Sequence, residues 1–155
     1  MIQSGITFPD FLLPDQDGTM HTLAEYKGKW LVVYFYPRDN TAGCSLEASS
    51  FAALIEQYGG QDTAVIGVSA DSVTNHAKFA QKLALPFTLL SDEKHSLLEI
   101  TGVWQKKKMA GREYMGIVRS TVIVDPEGIV RHSWTKVKAD GHAEQVLEKL
   151  KDLRR

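Results

Sequence analysis

No segment limits the possible folds of this chain more than the run Trp30-Leu31-Val32-Val33-Tyr34-Phe35-Tyr36. It is continuously apolar, β-branched and aromatic. That pattern marks a central strand buried on both faces, the kind found where layers pack on either side of a sheet. Pro37 ends it, because proline has no N–H to give to a ladder. The run is also far too short to span a bilayer.

The rest of the chain supplies the layers. Phe8, Phe11 and Leu13 alternate weakly with polar residues. Asp17-Gly18 is a turn signal, and Thr19 to Leu23 returns as the second arm of a hairpin. From Cys44 onward Leu46, Ala48, Phe51, Leu54, Ile55 and Tyr58 fall near a 3.6-residue period, which predicts one helix stopped by Gly59-Gly60. Ala64 to Val68 reads as a second buried strand. Asp71-Ser72 caps a helix through about Leu83, with Val73, Phe79, Ala80 and Leu83 inward. Pro86 to Leu90 reads as a strand and Leu97 to Ile100 as a short helix. Residues 102–116 read as irregular and charged, with Trp104, Met109 and Tyr114 scattered through them. Ser120 to Val124 and Ile129 to Trp134 flank the tight turn Asp125-Pro126-Glu127-Gly128. His142 to Leu153 closes as an amphipathic helix. The expected whole is one α/β domain over residues 1–155, with a mixed sheet.

Composition removes several function classes. The formal net charge is -1, which gives no bulk reason to expect nucleic acid or an anionic membrane as partner. Lys106-Lys107-Lys108, with Arg112 nearby, is the only basic cluster and reads as a solvated loop. A single cysteine forms no intramolecular disulfide. The N-terminus lacks a basic n-region and an apolar h-region, so a cytoplasmic protein is the expectation. His21, His76, His95, His132 and His142 are scattered without metal-ligand spacing and read as surface histidines. No metal is expected. Ser69 and Asp71 read as a helix cap, not a hydrolase elbow, and Gly28-Lys29 lacks phosphate-loop spacing.

The lone thiol stands where chemistry is favoured. Cys44 lies at the joint between the apolar strand and the first turn of a helix, against unpaired backbone N–H groups and the positive end of the helix dipole. Such a setting favours thiolate. Thr41 lies three residues back, where its hydroxyl can reach the sulfur or something bound to it. Gly43 lets backbone approach closely. The strand-to-helix joint is where α/β folds place ligands.

Pro37-x-x-x-Thr41-x-x-Cys44 resembles the active-site signature of the peroxiredoxins. Cys44-Ser45-Leu46-Glu47-Ala48, Gly102-Val103-Trp104 and Gly116-Ile117-Val118-Arg119 resemble the bacterioferritin comigratory protein, or peroxiredoxin Q, branch. The likeness runs from about Phe8 to the C-terminus. It implies a thioredoxin-like fold with an added N-terminal β-hairpin, and a thiol peroxidase that reduces hydrogen peroxide and organic hydroperoxides. By that resemblance Cys44 is the peroxidatic nucleophile, and Thr41 hydrogen-bonds the thiolate and the peroxide. Arg119 comes from an adjacent strand to the sulfur, Pro37 shields the pocket, and Glu47 holds the arginine. The resemblance implies no bound cofactor or metal and leans towards a monomer.

Two departures from the family pattern matter. Ala42 stands where proline is common, which relaxes the turn. Ser49 stands where many members of the branch carry a resolving cysteine, and residues 72–83 contain none. A sulfenic acid at Cys44 would therefore need an external thiol, such as thioredoxin, glutaredoxin, glutathione or a second copy of the chain. The rival reading is a redox sensor that forms mixed disulfides with a partner without turning over. A thioredoxin-type reductase is disfavoured, because it needs Cys-x-x-Cys and this chain lacks it.

Acidity alone does not make a thiol an efficient peroxidase. For any thiol, a pKa drop from about 8.5 to about 6 raises the thiolate fraction at neutral pH roughly thirtyfold. The accompanying loss of nucleophilicity, at a Brønsted slope near 0.45, takes back about tenfold. The larger part must come from donors aimed at the departing oxygen, each worth about 2.7–4 kcal/mol by analogy with oxyanion holes.

Overall fold

The computed structural model describes residues 2–155. β1 (Leu12–Pro14) and β2 (Met20–Thr22) form the N-terminal hairpin. Asp15 closes its turn by accepting the backbone N–H groups of Asp17 and Thr19. β3 (Trp30–Phe35) follows and is buried at all its positions. The chain continues through α1 (Ala42–Ala53), α2 (Ile55–Gly60), β4 (Thr63–Ser69), α3 (Val73–Leu83), β5 (Thr88–Ser91) and α4 (Ser96–Ile100). It ends with β6 (Trp104–Met109), β7 (Arg112–Ile117), β8 (Ser120–Val124), β9 (Val130–Thr135) and α5 (His142–Arg154).

The main sheet is mixed, in the order β5-β4-β3-β8-β9. β3 runs parallel to β4 and antiparallel to β8. β3 divides its side chains by strand alternation. Leu31, Val33 and Phe35 face a core shared with Phe8, Phe11 and α4 residues Leu97 and Leu98. Val32 and Tyr34, with Tyr36 just beyond, face a second core built with Phe51 of α1, Phe79 of α3 and Val146 and Leu150 of α5. The expected double burial of this strand, and the mixed sheet with helices and an N-terminal hairpin, are therefore present.

Three expectations need correction. The helix predicted to run unbroken from Cys44 to Tyr58 breaks at Leu54, which leaves helical geometry at φ -103 and ψ 6 and donates to the Phe51 carbonyl. No glycine or proline marks that break. Leu46, expected inward, is 46% exposed, while Glu47 takes the buried position. Residues 102–116 are not irregular: β6 and β7 pair as a hairpin from Trp104↔Ile117 to Met109↔Arg112. Its turn residues Ala110 and Gly111 both have positive φ, as a type I′ turn requires. Most of the hairpin faces solvent, so its strands lack the apolar alternation that identifies a half-buried strand.

Candidate active site

The end of β3 and the start of α1 build the site. Thr41 is the N-cap of α1, with extended backbone at φ -96 and ψ 158, and its carbonyl accepts the Ser45 N–H at 2.8 Å. Cys44 is thus the third residue of the helix, among N–H groups with no intrahelical acceptor. Buried positions on α1 are Cys44, Glu47, Ala48 and Phe51, one helical stripe. Ser49 is exposed on another face. A disulfide between positions 44 and 49 would need the helix to unwind, since five residues rise about 7.5 Å.

Arg119 reaches this stripe from the short link between β7 and β8. Register explains how: Phe35 pairs with Ser120, so residues just before β8 lie beside the end of β3. Arg119 Nη2 donates to Cys44 Sγ at 3.3 Å, and Nη1 donates to Glu47 Oε1 at 2.7 Å. Gly43 makes room, because a Cβ there would lie 3.1 Å from Nη2. Cys44 is 1% exposed and Glu47 fully buried, while the arginine keeps one edge open at 15% exposure.

Electrostatics divide the pair. Burial pushes the Glu47 carboxyl up to about 7, against the opposing charge and hydrogen bond of Arg119. Burial by itself would lower the Arg119 guanidinium, but the Glu47 and Cys44 charges outweigh it and hold it above its ordinary value. Glu47 Oε2 has no hydrogen-bond partner among the described residues, a costly orphan. A buried pair of this kind is a poor source of stability, and what the contact provides is a fixed place for the arginine.

The other expected residues are nearby. Pro37 and Thr41 line an open cleft of about 540 Å³. The Thr41 hydroxyl, expected to reach the sulfur, donates instead to the Arg38 carbonyl at 3.1 Å and closes the tight loop between them. The β6–β7 hairpin also lines the cleft, through Trp104, Lys107, Tyr114 and Ile117. Sequence reasoning missed these residues because it read the hairpin as a solvated loop. Lys107 donates to the Ile117 carbonyl at 2.8 Å, and burial together with the Arg119 charge pushes its ammonium down.

The histidines also differ from expectation. None is a freely exposed surface group, and His76 and His142 are buried. Ser72, not Asp71, caps α3 by accepting the Asn75 N–H at 3.1 Å. Asp71 instead accepts the Ser69 hydroxyl and the Asp39 N–H.

Comparison with known proteins places this geometry. The family described as AhpC/TSA matches residues 5–133. The chain is 45% identical over 152 residues to peroxiredoxin Bcp of Bacillus subtilis, covering 98% of this chain and 97% of the relative. It is 36% identical over 151 residues to peroxiredoxin Bcp of Escherichia coli K12, covering 97% of each. Among solved structures, the bacterioferritin comigratory protein of Xanthomonas campestris, studied for alkyl peroxide reduction, superposes with a TM-score of 0.93 at 38% identity, over 99% of this chain and 100% of that one. A cysteine-to-serine variant of PrxQ from Xylella fastidiosa gives a TM-score of 0.95 at 37% identity, over 100% and 99%.

Proposed function

The chain belongs to the AhpC/TSA family and is a peroxiredoxin of the Bcp/PrxQ kind, a thiol-dependent peroxidase with a thioredoxin-like fold; from that premise we propose that Cys44 is its peroxidatic nucleophile and Arg119 its principal electrostatic catalyst. The observation that carries this reading is the bridge from Arg119 to both Cys44 Sγ and Glu47 Oε1.

A hydroperoxide, R–O–OH, enters the cleft beside Pro37 and Thr41. The Cys44 thiolate attacks its terminal oxygen. The S–O bond forms, the O–O bond breaks, and sulfur is oxidised to sulfenic acid while RO⁻ departs and takes up a proton as ROH. Negative charge moves from sulfur onto the leaving oxygen, so a guanidinium within reach of both stabilises the transition state more than the thiolate alone. The backbone N–H groups of Gly43 and Cys44 add to that field. Thr41 joins by turning its hydroxyl from Arg38 towards the peroxide, a rotation about one side-chain bond. Glu47 fixes Arg119, and Gly43 admits it.

With one cysteine in the sequence, the sulfenic acid is resolved from outside. An external thiolate displaces hydroxide to form a mixed disulfide, and a second thiol releases Cys44. The net change is ROOH plus two thiols to ROH, water and a disulfide. Thioredoxin, glutaredoxin or glutathione fits this role. The same reading has residues 1–155 act as one monomeric domain with hydrogen peroxide and organic hydroperoxides as substrates. A free thiol fits a reducing compartment, and the cytoplasm is the proposed location. No helix among the described residues is long and apolar enough to cross a membrane.

A coupled assay with hydrogen peroxide, cumene hydroperoxide and each candidate thiol tests the cycle. Many turnovers per chain are expected with at least one thiol, and none for Cys44→Ser. Oxidation that stops after one equivalent with every thiol contradicts it.

A further inference from the structure

The proposed attack depends on where the Arg38–Thr41 loop holds Thr41 and the first turn of α1. That loop is tied down by a buried polar network. His76, on α3, is fully buried. Its Nε2 lies 2.9 Å from the Leu90 carbonyl of β5, and its Nδ1 lies 2.7 Å from Asp39 Oδ2 in the loop. A carbonyl oxygen has no proton to give, so Nε2 must carry one. An ionised carboxylate likewise only accepts. With Nδ1 unprotonated, two lone pairs would face each other across 2.7 Å, where the side chains are 0% and 5% exposed. The 2.7 Å contact needs one proton between Nδ1 and Oδ2, and where Asp39 is the ionised partner that proton sits on the ring, which then carries hydrogen on both nitrogens.

Neighbouring groups favour that arrangement. Asp39 Oδ1 accepts the Tyr36 hydroxyl at 2.6 Å, and that hydroxyl lies 3.4 Å from Nδ1. Asp71 adds a second negative charge, its Oδ2 accepting the Asp39 N–H at 2.9 Å and the Ser69 hydroxyl at 2.6 Å. Ligand atoms of Asp39, Asp71 and His76 lie within 4.8 Å of one another, so both carboxylates are close to the imidazole. On the outer side Lys82 donates to Asn40 Oδ1 at 2.7 Å, and Arg38, Lys78 and Lys82 line the groove above the cluster. These contacts join the ends of β3, β4 and β5 to the loop that carries Thr41.

We propose that Asp39 and His76 form a buried carboxylate–imidazolium pair that positions the Arg38–Thr41 loop for attack on the hydroperoxide. Both are positioning residues and neither touches the substrate. The proposal rests on the roles given above to Cys44 and Thr41.

Nitrogen-15 spectra of the reduced full-length protein with labelled histidine, recorded near neutral pH, test the pair directly. Both His76 nitrogens are expected to carry hydrogen, with the signals assigned by their loss in His76→Gln. An unprotonated Nδ1 overturns the proposal whether or not the protein consumes peroxide. Asp39→Ala gives the kinetic test, since it removes both oxygens that tie the loop to His76 and Tyr36. Thiol loss from Cys44 with hydrogen peroxide should slow about tenfold or more, while alkylation by iodoacetamide changes less than about twofold. Alkylation needs no donor aligned on a leaving oxygen. An equal change in both rates, or none in either, overturns the proposal. Should His76→Gln fail to fold, the signals can be assigned through Asp39→Ala, and the two remaining measurements still decide. A wild-type protein inert to peroxide would defeat the role of Cys44 but not the reading of the spectrum.

Discussion

Gly43 shows how little separates a productive arginine from a displaced one. A methyl group at this position would press on Nη2 from 3.1 Å, so the guanidinium that donates to the sulfur must shift by a few tenths of an ångström. Alanine is also the better helix former by up to about 1 kcal/mol. Gly43→Ala should therefore keep or raise the melting temperature while slowing peroxide reduction about tenfold. Faster or unchanged turnover would show that the close approach is incidental. Glu47 gives a pH signature. Its carboxyl is raised to about 7 in the folded chain against an ordinary value of 4.5. Between those values the folded chain binds more protons than the unfolded one, so stability falls as pH rises. The loss is complete above the upper value and amounts to about 3 kcal/mol. Urea unfolding at pH 5 and pH 8 should show this fall in the wild type and little of it in Glu47→Gln, which should also slow turnover by loosening Arg119. Parallel pH profiles for the two proteins would contradict the assignment. Cys44, Pro37 and Gly43 were legible in the sequence because a strand end, a proline and a helix start lie within a few residues. His76 was not legible. Its burial is decided by Asp39 and by a carbonyl of β5, far from it in the chain.

At the scale of elements, the β6–β7 hairpin is the one that lines the cleft beside the candidate site. It reads as a loop in the sequence because three consecutive lysines hide its period and its turn opens on Ala110, an unusual residue at positive φ. Folded, it lines the cleft together with Pro37 and Thr41. Met109 and Tyr114 stay largely exposed on it, at 66% and 42%. Partial burial of each against an alkyl or aryl hydroperoxide is worth about 1 kcal/mol. Replacing both with serine should lower kcat/KM for cumene hydroperoxide about tenfold or more and leave hydrogen peroxide within about twofold. A loss shared equally by the two substrates would mean that the hairpin supports the site without contacting what enters it. The other elements were easier to read. β3 and β4 carry continuous apolar runs, and α3 has both a serine cap and a clear apolar stripe. The break at Leu54 had no signal, since no helix-breaking residue stands there.

For the molecule as a whole, the sheet order brings together two residues 75 positions apart. β3 delivers the thiol through α1, and β8, its antiparallel neighbour, begins just after the arginine. Periodicity identifies both strands, but not that they are neighbours. Read by itself, Arg119 is a surface charge at the start of a strand; family resemblance singled it out before the fold did. The account therefore depends on a through-space contact between Cys44 and Arg119 that stabilises the departing oxygen. Its most direct test compares second-order rates of Cys44 thiol loss in wild type and Arg119→Met, with hydrogen peroxide and with iodoacetamide. The account predicts a drop of about 10²–10³ with peroxide and at most about threefold with iodoacetamide. A peroxide rate that falls only as far as the alkylation rate would contradict it.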